Sequence, residues 1–418
     1  RLESRPVAGP PALIPRMPSI PKVIGVGTDC SGMEAPIQAM QNLGVNFEHR
    51  FSCDIDKFAR ATIEANFPHG KMFEDVTTRD NKKAPHCDLY VAGFPCQPFS
   101  VAGLGQGFDD RHGRGTVFFD VRDYIAKQRP RVFVLENVKG LVMKKNGDYL
   151  AAILKALDQL RDYNVAHKVL NTKQHGVPHN RERIYIVGIR KDSDRGTFAF
   201  PEPIPCPSIE LFLDSRPSKS EAAALPPKGG PRTNVVAVRR KLKRQGSDPA
   251  EDPFIIDCDS TKARAKAMHN ISPCITCGRG RGHWISNRGR RLRKTEMARL
   301  HGMDPTKFTQ VVSETQMGKQ LGNTMSVNVL ERLLVRLLPA AGLSAPGLRD
   351  RWEDGSAVRR IASTRDRSFA QRSRALLKQR LGRANGKAAA KAPPSSKKRR
   401  ASSDEGRTTA KRSRRSAQ

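Results

Sequence analysis

A cysteine set between two prolines, a glutamate near the end of one apolar run and two arginines at the head of another are the residues of this chain whose types and spacing could do chemistry. Gly93-Phe94-Pro95-Cys96-Gln97-Pro98-Phe99-Ser100 follows the apolar stretch Leu89-Tyr90-Val91-Ala92, which reads as a short buried strand. Pro95 and Pro98 fix φ on either side of the thiol and Gly93 permits a tight exit from the strand, so the sulfur is presented rather than packed. A free thiol is only a few per cent thiolate at neutral pH, so a nucleophilic role needs a nearby positive charge, a helix N-terminus or a receptive substrate. An isolated cysteine is otherwise a small core residue, and the choice depends on its company. Arg131-Val132-Phe133-Val134-Leu135-Glu136-Asn137-Val138 is a second strand pattern and carries a carboxylate. His179-Asn180-Arg181-Glu182-Arg183 opens into the strand pattern Ile184-Tyr185-Ile186-Val187-Gly188. In a parallel α/β sheet strand ends gather on one edge, where a thiol, a carboxylate and two guanidiniums can converge on one crevice.

Pro95-Cys96-Gln97, Glu136-Asn137-Val138 and the Arg181-x-Arg183 pair, in that order and each in strand context, resemble the DNA cytosine-5 methyltransferase family. The resemblance implies an α/β fold, a Rossmann-like S-adenosyl-L-methionine (SAM)-dependent methyltransferase with a mostly parallel sheet and a small inserted target-recognition subdomain. It implies that Cys96 adds to C6 of a flipped-out cytosine and that Glu136 bonds or protonates N3, its pKa raised by burial beside Val134 and Val138. Arg183 would hold the base O2, and Arg181 would order the site by pairing with Glu136 or with the neighbouring loop. Gln97 and Ser100 are the expected DNA contacts of the Cys96 loop. The same chemistry on RNA and a catalytically inert nucleic-acid-binding regulator are the rival readings; the joint presence of Cys96, Glu136 and Arg183 disfavours the second.

The elements that must position these groups begin with a strand over Val23–Gly27, the turn Thr28-Asp29-Cys30-Ser31-Gly32 and a helix over 35–43, the opening unit of a Rossmann-like cofactor site. In the family this turn is usually richer in glycine, with Phe and Ala before the first Gly; here Cys30 and Ser31 precede Gly32, and Glu34 follows. Asp54, with Ile55 beside it, stands at the tip of the second strand, where a carboxylate can accept from both ribose hydroxyls or cap the next helix. Asp75 and Val76 are the expected adenine contacts by resemblance, or a turn aspartate and its neighbour. By the same resemblance Gly93, Pro95, Asn323 and Thr324 complete the cofactor set, the last two in a segment returning to the first strand. The glycine-rich loop 103–111 suits a mobile lid, and 116–128 has the spacing of an amphipathic helix. His179 stands where the family usually has Gln, and its protonation near neutral pH would add a charge there.

The formal charge of +34 over 418 residues puts nucleic acid first among partners, and the resemblance implies that it is double-stranded DNA. No apolar run approaches the ~20 residues of a membrane-spanning helix, so no membrane partner is expected. Eight cysteines at scattered spacings indicate a reducing compartment, and Cys274-Ile275-Thr276-Cys277 lacks a second pair at ligand spacing, so no metal is expected. Prolines at 6, 10, 11, 15, 18 and 21 make 1–18 a disordered leader before a catalytic domain over 19–340. Within it, prolines and fading periodicity suggest an inserted subdomain, which the resemblance implies is the target-recognition insert, over 191–285; it holds the basic cluster Arg239-Arg240-Lys241-Leu242-Lys243-Arg244. Between Arg279 and Lys294 seven Lys or Arg occur with no acid and with Trp284 interleaved, a pattern suited to tracking a DNA backbone; Arg279 and Arg281 are its expected contacts. Residues 341–418, with 22 Lys and Arg against 6 Asp and Glu, read as a disordered basic tail for nuclear import or non-specific nucleic-acid binding, which places the protein in the nucleus.

Overall fold

The computed structural model describes residues 19–95, 117–143 and 147–370. The 1–18 leader, Cys96, Gln97, Ser100, the 103–111 loop and the tail beyond 370 lie outside the described residues.

Strands β1 (Ile24–Asp29), β2 (Phe47–Cys53), β3 (Lys71–Phe73), β4 (Leu89–Ala92), β5 (Val132–Val138), β6 (Tyr163–Asn171) and β7 (Glu182–Arg190) form one sheet in the order β3-β2-β1-β4-β5-β7-β6. The pairings from β3 through β5 are parallel; β7 runs antiparallel to both β5 and β6. Apolar side chains at successive positions of β4 and β5 serve both faces: Leu89, Val91, Val132 and Val134 join one core, while Tyr90, Ala92, Phe133 and Leu135 join the other. That two-sided burial is why these strands read as unbroken apolar runs rather than alternating ones. A glycine at 188 in β7 is required by packing, because a Cβ there would lie 2.1 Å from the Phe133 ring.

Helices α1 (Ala35–Leu43), α2 (Lys57–Asn66), α3 (Val117–Gln128), α4 (Gly140–Met143) and α5 (Asp148–Asp158) connect the strands. The expected helix over 116–128 is present from Val117, with Val117, Phe118, Val121 and Ile125 buried. After β7 come α6 (Lys219–Ala222) and α7 (Gly230–Arg244), then an antiparallel sheet of β8 (Phe254–Ile256), β9 (Ala267–His269), β10 (Trp284–Ile285) and β11 (Arg290–Arg291) in the order β11-β10-β8-β9. Val235 and Val238 of α7 pack with Ile256, Cys258 and Trp284 to give this region its own small core. The sheet runs past the expected boundary at 285, to Arg291. Helices α8 (Lys294–Arg299), α9 (Glu314–Asn323) and α10 (Val327–Ala340) lead back to α1, where Asn42 donates to Glu331 at 2.6 Å.

The expectation of a solvated tail from 341 is corrected over its first part. Trp352, Ala357 and Ile361 are buried, the latter two on α11 (Ser356–Ala362). Arg332 of α10 pairs with Asp350 at 2.8 Å, and Asp366 accepts from the Ser215 amide at 2.9 Å. A few apolar anchors and ion pairs hold this stretch, and the charge-rich composition of 341–418 as a whole conceals them.

Candidate active site

Glu136 and Arg183 meet because of strand direction. Since β7 runs against β5, its first residues lie beside the end of β5, and Val138 is in register with Arg183. The Arg183 Nε lies 3.2 Å from Glu136 Oε1. Convergence therefore comes from an antiparallel neighbour rather than from a common edge of parallel strand ends. Burial raises the Glu136 pKa above its ordinary value, against the lowering effect of Arg183 and Arg181. Asn137 donates to the Phe94 carbonyl at 3.2 Å, tying the segment just before Cys96 to β5.

Arg181 is 2% exposed and takes the loop role rather than a bond to Glu136. It donates to the carbonyls of Ile275 at 2.9 Å, Gly322 at 3.3 Å and Thr324 at 2.6 Å, joining three separated segments. The Cys274 sulfur lies 3.8 Å from Arg181 Nη1 and 3.9 Å from Arg183 Nη2. His179 is fully buried; its Nδ1 donates to the Leu300 carbonyl at 2.9 Å, while Nε2 accepts from the Ile275 amide at 3.0 Å. Burial, with His301 and Arg181 adding to it, holds its pKa well below the usual range. The expectation of an added charge at 179 is therefore corrected: the imidazole is neutral near pH 7, with one nitrogen donating and the other accepting.

A cleft opens where β1 and β4 end. Thr28, Asp29, Cys30, Ser31, Gly32, Ala35, Pro36, Val91 and Gly93 line it together with Glu136, Asn323, Thr324 and Met325. Seven expected cofactor residues (Asp29, Cys30, Ser31, Gly32, Gly93, Asn323 and Thr324) are thus brought together beside the Glu136 carboxylate. A Cβ at position 93 would lie 2.8 Å from Met325 Cε, so a larger residue there would displace the end of that flexible side chain. Asp54 stands next to the turn, its Oδ2 accepting from the Gly32 amide at 2.8 Å and its Oδ1 from the Asp56 amide at 2.9 Å. The helix-cap role belongs instead to Asp56, which accepts from the Phe58 amide at 2.9 Å. Ile55 is 77% exposed. Asp75 accepts from the Thr77 amide and hydroxyl at 2.9 and 2.8 Å, the turn role, and neither Asp75, Val76 nor Pro95 lines the cleft.

The basic run from 279 to 294 departs from its expected role. Among the described residues six of its seven cations face carboxylates: Arg279 with Asp257, Arg288 with Glu210, Arg290 with Glu296, Arg291 with Asp259, Arg293 with Asp214 and Lys294 with Glu314. Arg281 alone is exposed without such a partner. The run is mostly internal cement. On α7, by contrast, Arg240, Lys241, Lys243 and Arg244 are exposed and Arg239 half-buried, with no carboxylate partner among the described residues.

Two buried groups beside the cleft escaped the sequence reading. Arg79 donates to both Asp29 carboxylate oxygens at 2.6 Å, and the Tyr90 hydroxyl donates to one of them at 2.5 Å, so both oxygens of Asp29 are already engaged within the protein. Nothing in the local sequence around Arg79 signals this. Glu34, fully buried, accepts from Thr28 and Ser52, and its only sequence signal is a glutamate in a turn where glycine is usual.

A mostly parallel sheet with a cleft at the ends of β1 and β4, lined by the buried Glu136 that pairs with Arg183, defines a Rossmann-like methyltransferase. A profile of C-5 cytosine-specific DNA methylases matches residues 29–338. The chain belongs to this family and is a DNA cytosine-C5 methyltransferase. It is 37% identical to the type II methyltransferase M.NgoBI of Neisseria gonorrhoeae over 73% of this chain and 92% of that protein. It is 35% identical to M.HaeII of Haemophilus aegyptius over 68% of this chain and 83% of that protein. The fold is similar to that of a putative DNA modification methyltransferase from an Escherichia coli prophage, with a TM-score of 0.54, 20% identity and coverage of 76% of this chain and 99% of the other.

Proposed function

We propose that the protein methylates cytosine C5 in double-stranded DNA with S-adenosyl-L-methionine as donor and Cys96 as a covalent nucleophile toward a base turned out of the helix. The ion pair of buried Glu136 with half-buried Arg183, beside the Gly93-Phe94-Pro95 strand exit, carries this reading. The residues of the cleft fit the donor: Gly32 has φ of 54° with open space where a Cβ would stand, next to an Asp54 carboxylate suited to a ribose diol and the exposed apolar Ile55 suited to a purine face. When bound there, SAM supplies an electrophilic methyl group.

Cytosine C5 is too weak a nucleophile to take that group unaided. The Cys96 thiolate forms a bond to C6, and the displaced electron pair makes C5 nucleophilic. Glu136, kept protonated more readily by burial, donates to N3 and stabilises the adduct, while Arg183 holds Glu136 and the base O2. Once C5 carries the methyl group, loss of its proton to a water-borne base restores the C5=C6 bond and expels the thiolate. Turning the base out costs a few kcal/mol. Phosphate contacts from the basic face of α7 offset that cost.

Duplex DNA carrying 5-fluorocytosine tests the route, because fluorine cannot leave as a proton. Wild-type protein should form a stable covalent adduct and Cys96→Ser none; active protein that forms no adduct would refute covalent catalysis. Bisulfite sequencing of exposed duplex should show methylated cytosines, and methyl transfer to transfer RNA in preference to duplex would refute the substrate.

A further inference from the structure

Glu34 has two properties that are rarely combined: its side chain is fully buried, and its backbone is left-handed, with φ of 52° and ψ of 48° at the start of α1. A non-glycine residue adopts that conformation at a cost, and it persists where surrounding contacts impose it. Here the contacts come from two strands. Thr28 and Ser52 are register partners at the ends of β1 and β2, and both hydroxyls donate to Glu34 Oε1, at 2.7 and 2.6 Å. The His49 Nε2 lies 3.4 Å from the same oxygen and 2.9 Å from the Ser52 hydroxyl. From Thr28 the network continues to Ser31, whose hydroxyl is 2.7 Å away and donates to the Cys53 carbonyl at 3.2 Å.

Thr28 and Ser31 line the cleft and Glu34 does not. The carboxylate therefore acts from behind the wall. It fixes two strand ends and the turn between β1 and α1, which in a glycine-rich turn would be fixed by close backbone packing instead. Its second oxygen has no hydrogen-bond partner among the described residues, so this is a polar group retained at some cost.

We propose that Glu34 is the positioning residue of the cofactor turn, setting Thr28-Asp29-Cys30-Ser31-Gly32 through its hydrogen bonds to Thr28 and Ser52. The proposal rests on the reading of the cleft as the SAM site, and the measurements separate the two. Calorimetric binding of SAM and of S-adenosylhomocysteine to wild-type protein tests the cleft; no binding defeats that reading before Glu34 is considered. Glu34→Gly then separates backbone from carboxylate, since glycine accepts the left-handed conformation freely but leaves both hydroxyls without their acceptor. Binding of both ligands should weaken about tenfold in Glu34→Gly while affinity for duplex DNA stays within about twofold, and Glu34→Gln, which keeps an acceptor oxygen, should recover most of the loss. Cofactor binding within twofold of wild type in Glu34→Gly would overturn the proposal, as would a parallel loss of DNA affinity. Should Glu34→Gly fail to fold, Ser52→Ala decides: its removal of one donor should weaken cofactor binding several-fold, and unchanged binding overturns the proposal.

Discussion

The run from Arg279 to Lys294 and the cluster from Arg239 to Arg244 look alike as strings of residues, yet the fold uses them in opposite ways. The carboxylates that meet the first come mostly from elsewhere in the chain: Glu210 and Asp214 before α6, Asp257 and Asp259 after β8, Glu296 in α8 and Glu314 in α9. The second lies on one helix whose apolar positions, Val235 and Val238, face the small core, leaving the basic positions turned outward. Local charge density therefore says little about available charge. What decides is whether folding brings an acid to each base, and that depends on contacts distant in sequence.

The largest effect should come from breaking an internal pair. Arg288 has a fully buried side chain and donates to Glu210 at 2.7 Å and to the Asp214 carbonyl at 2.9 Å. Arg288→Ala should destabilise the protein by roughly 3 kcal/mol, read as a lowered midpoint in urea, because it empties a fully buried side-chain site, leaves the Asp214 carbonyl unpaired and leaves Glu210 only Arg216 and Asn287. Acid adds a second reading. Burial pushes the Glu210 pKa up, but the hydrogen bonds and charge of Arg288, helped by Asn287 and Arg216, outweigh it and bring the group from 4.5 to about 2. A carboxylate with a depressed folded pKa contributes stability above its unfolded value and loses that contribution as pH falls through the folded one. Wild type should accordingly weaken between about pH 4.5 and 2 through this group, and Arg288→Ala should lose most of that acid sensitivity, keeping the share due to Asn287 and Arg216. An urea midpoint unchanged in Arg288→Ala would place this run with α7.

Replacing Arg239, Arg240, Lys241, Lys243 and Arg244 together by Ala should move binding instead of stability. If each contacts one phosphate, the slope of log affinity against log salt should fall by about 4 to 5, and activity should drop at physiological salt. Phosphate contacts weaken all sequences about equally, so the set of methylated cytosines should stay the same in bisulfite reads. A changed set would move base reading onto α7. An unchanged slope would make α7 a solvated face and erase its difference from the internal run.

The same contrast separates what was legible in the sequence from what was not. Cys96, Glu136, Arg181 and Arg183 could be singled out as candidates because each stands near the edge of an apolar run, and the two-sided burial of β4 and β5 in a mostly parallel sheet is what produces such runs. The turn from Thr28 to Gly32 was legible for its strand–turn–helix context. Asp29 was legible as a position but not as a group, since its pairing with Arg79 and Tyr90 joins residues 50 and 61 positions away. The anchors of 341–370 were hidden by the surrounding charge, and only their depth in the fold reveals Trp352 and Ile361 as core.

His179 provides the smallest effect and the closest test of charge counted against charge present. A histidine beside two arginines reads as a third cation that would come and go near neutral pH. Burial, His301 and Arg181 all work against the proton, and the two ring nitrogens already have complementary partners in the Leu300 carbonyl and the Ile275 amide. Glutamine offers one donor and one acceptor at comparable spacing. His179→Gln should therefore keep activity within about threefold of wild type, and the two rate profiles between pH 6 and 8 should superimpose. A titration step present in wild type and absent from His179→Gln would show that the imidazole does carry a proton in the working enzyme; position 179 would then join α7 as a place where a cation in the sequence is a cation in use.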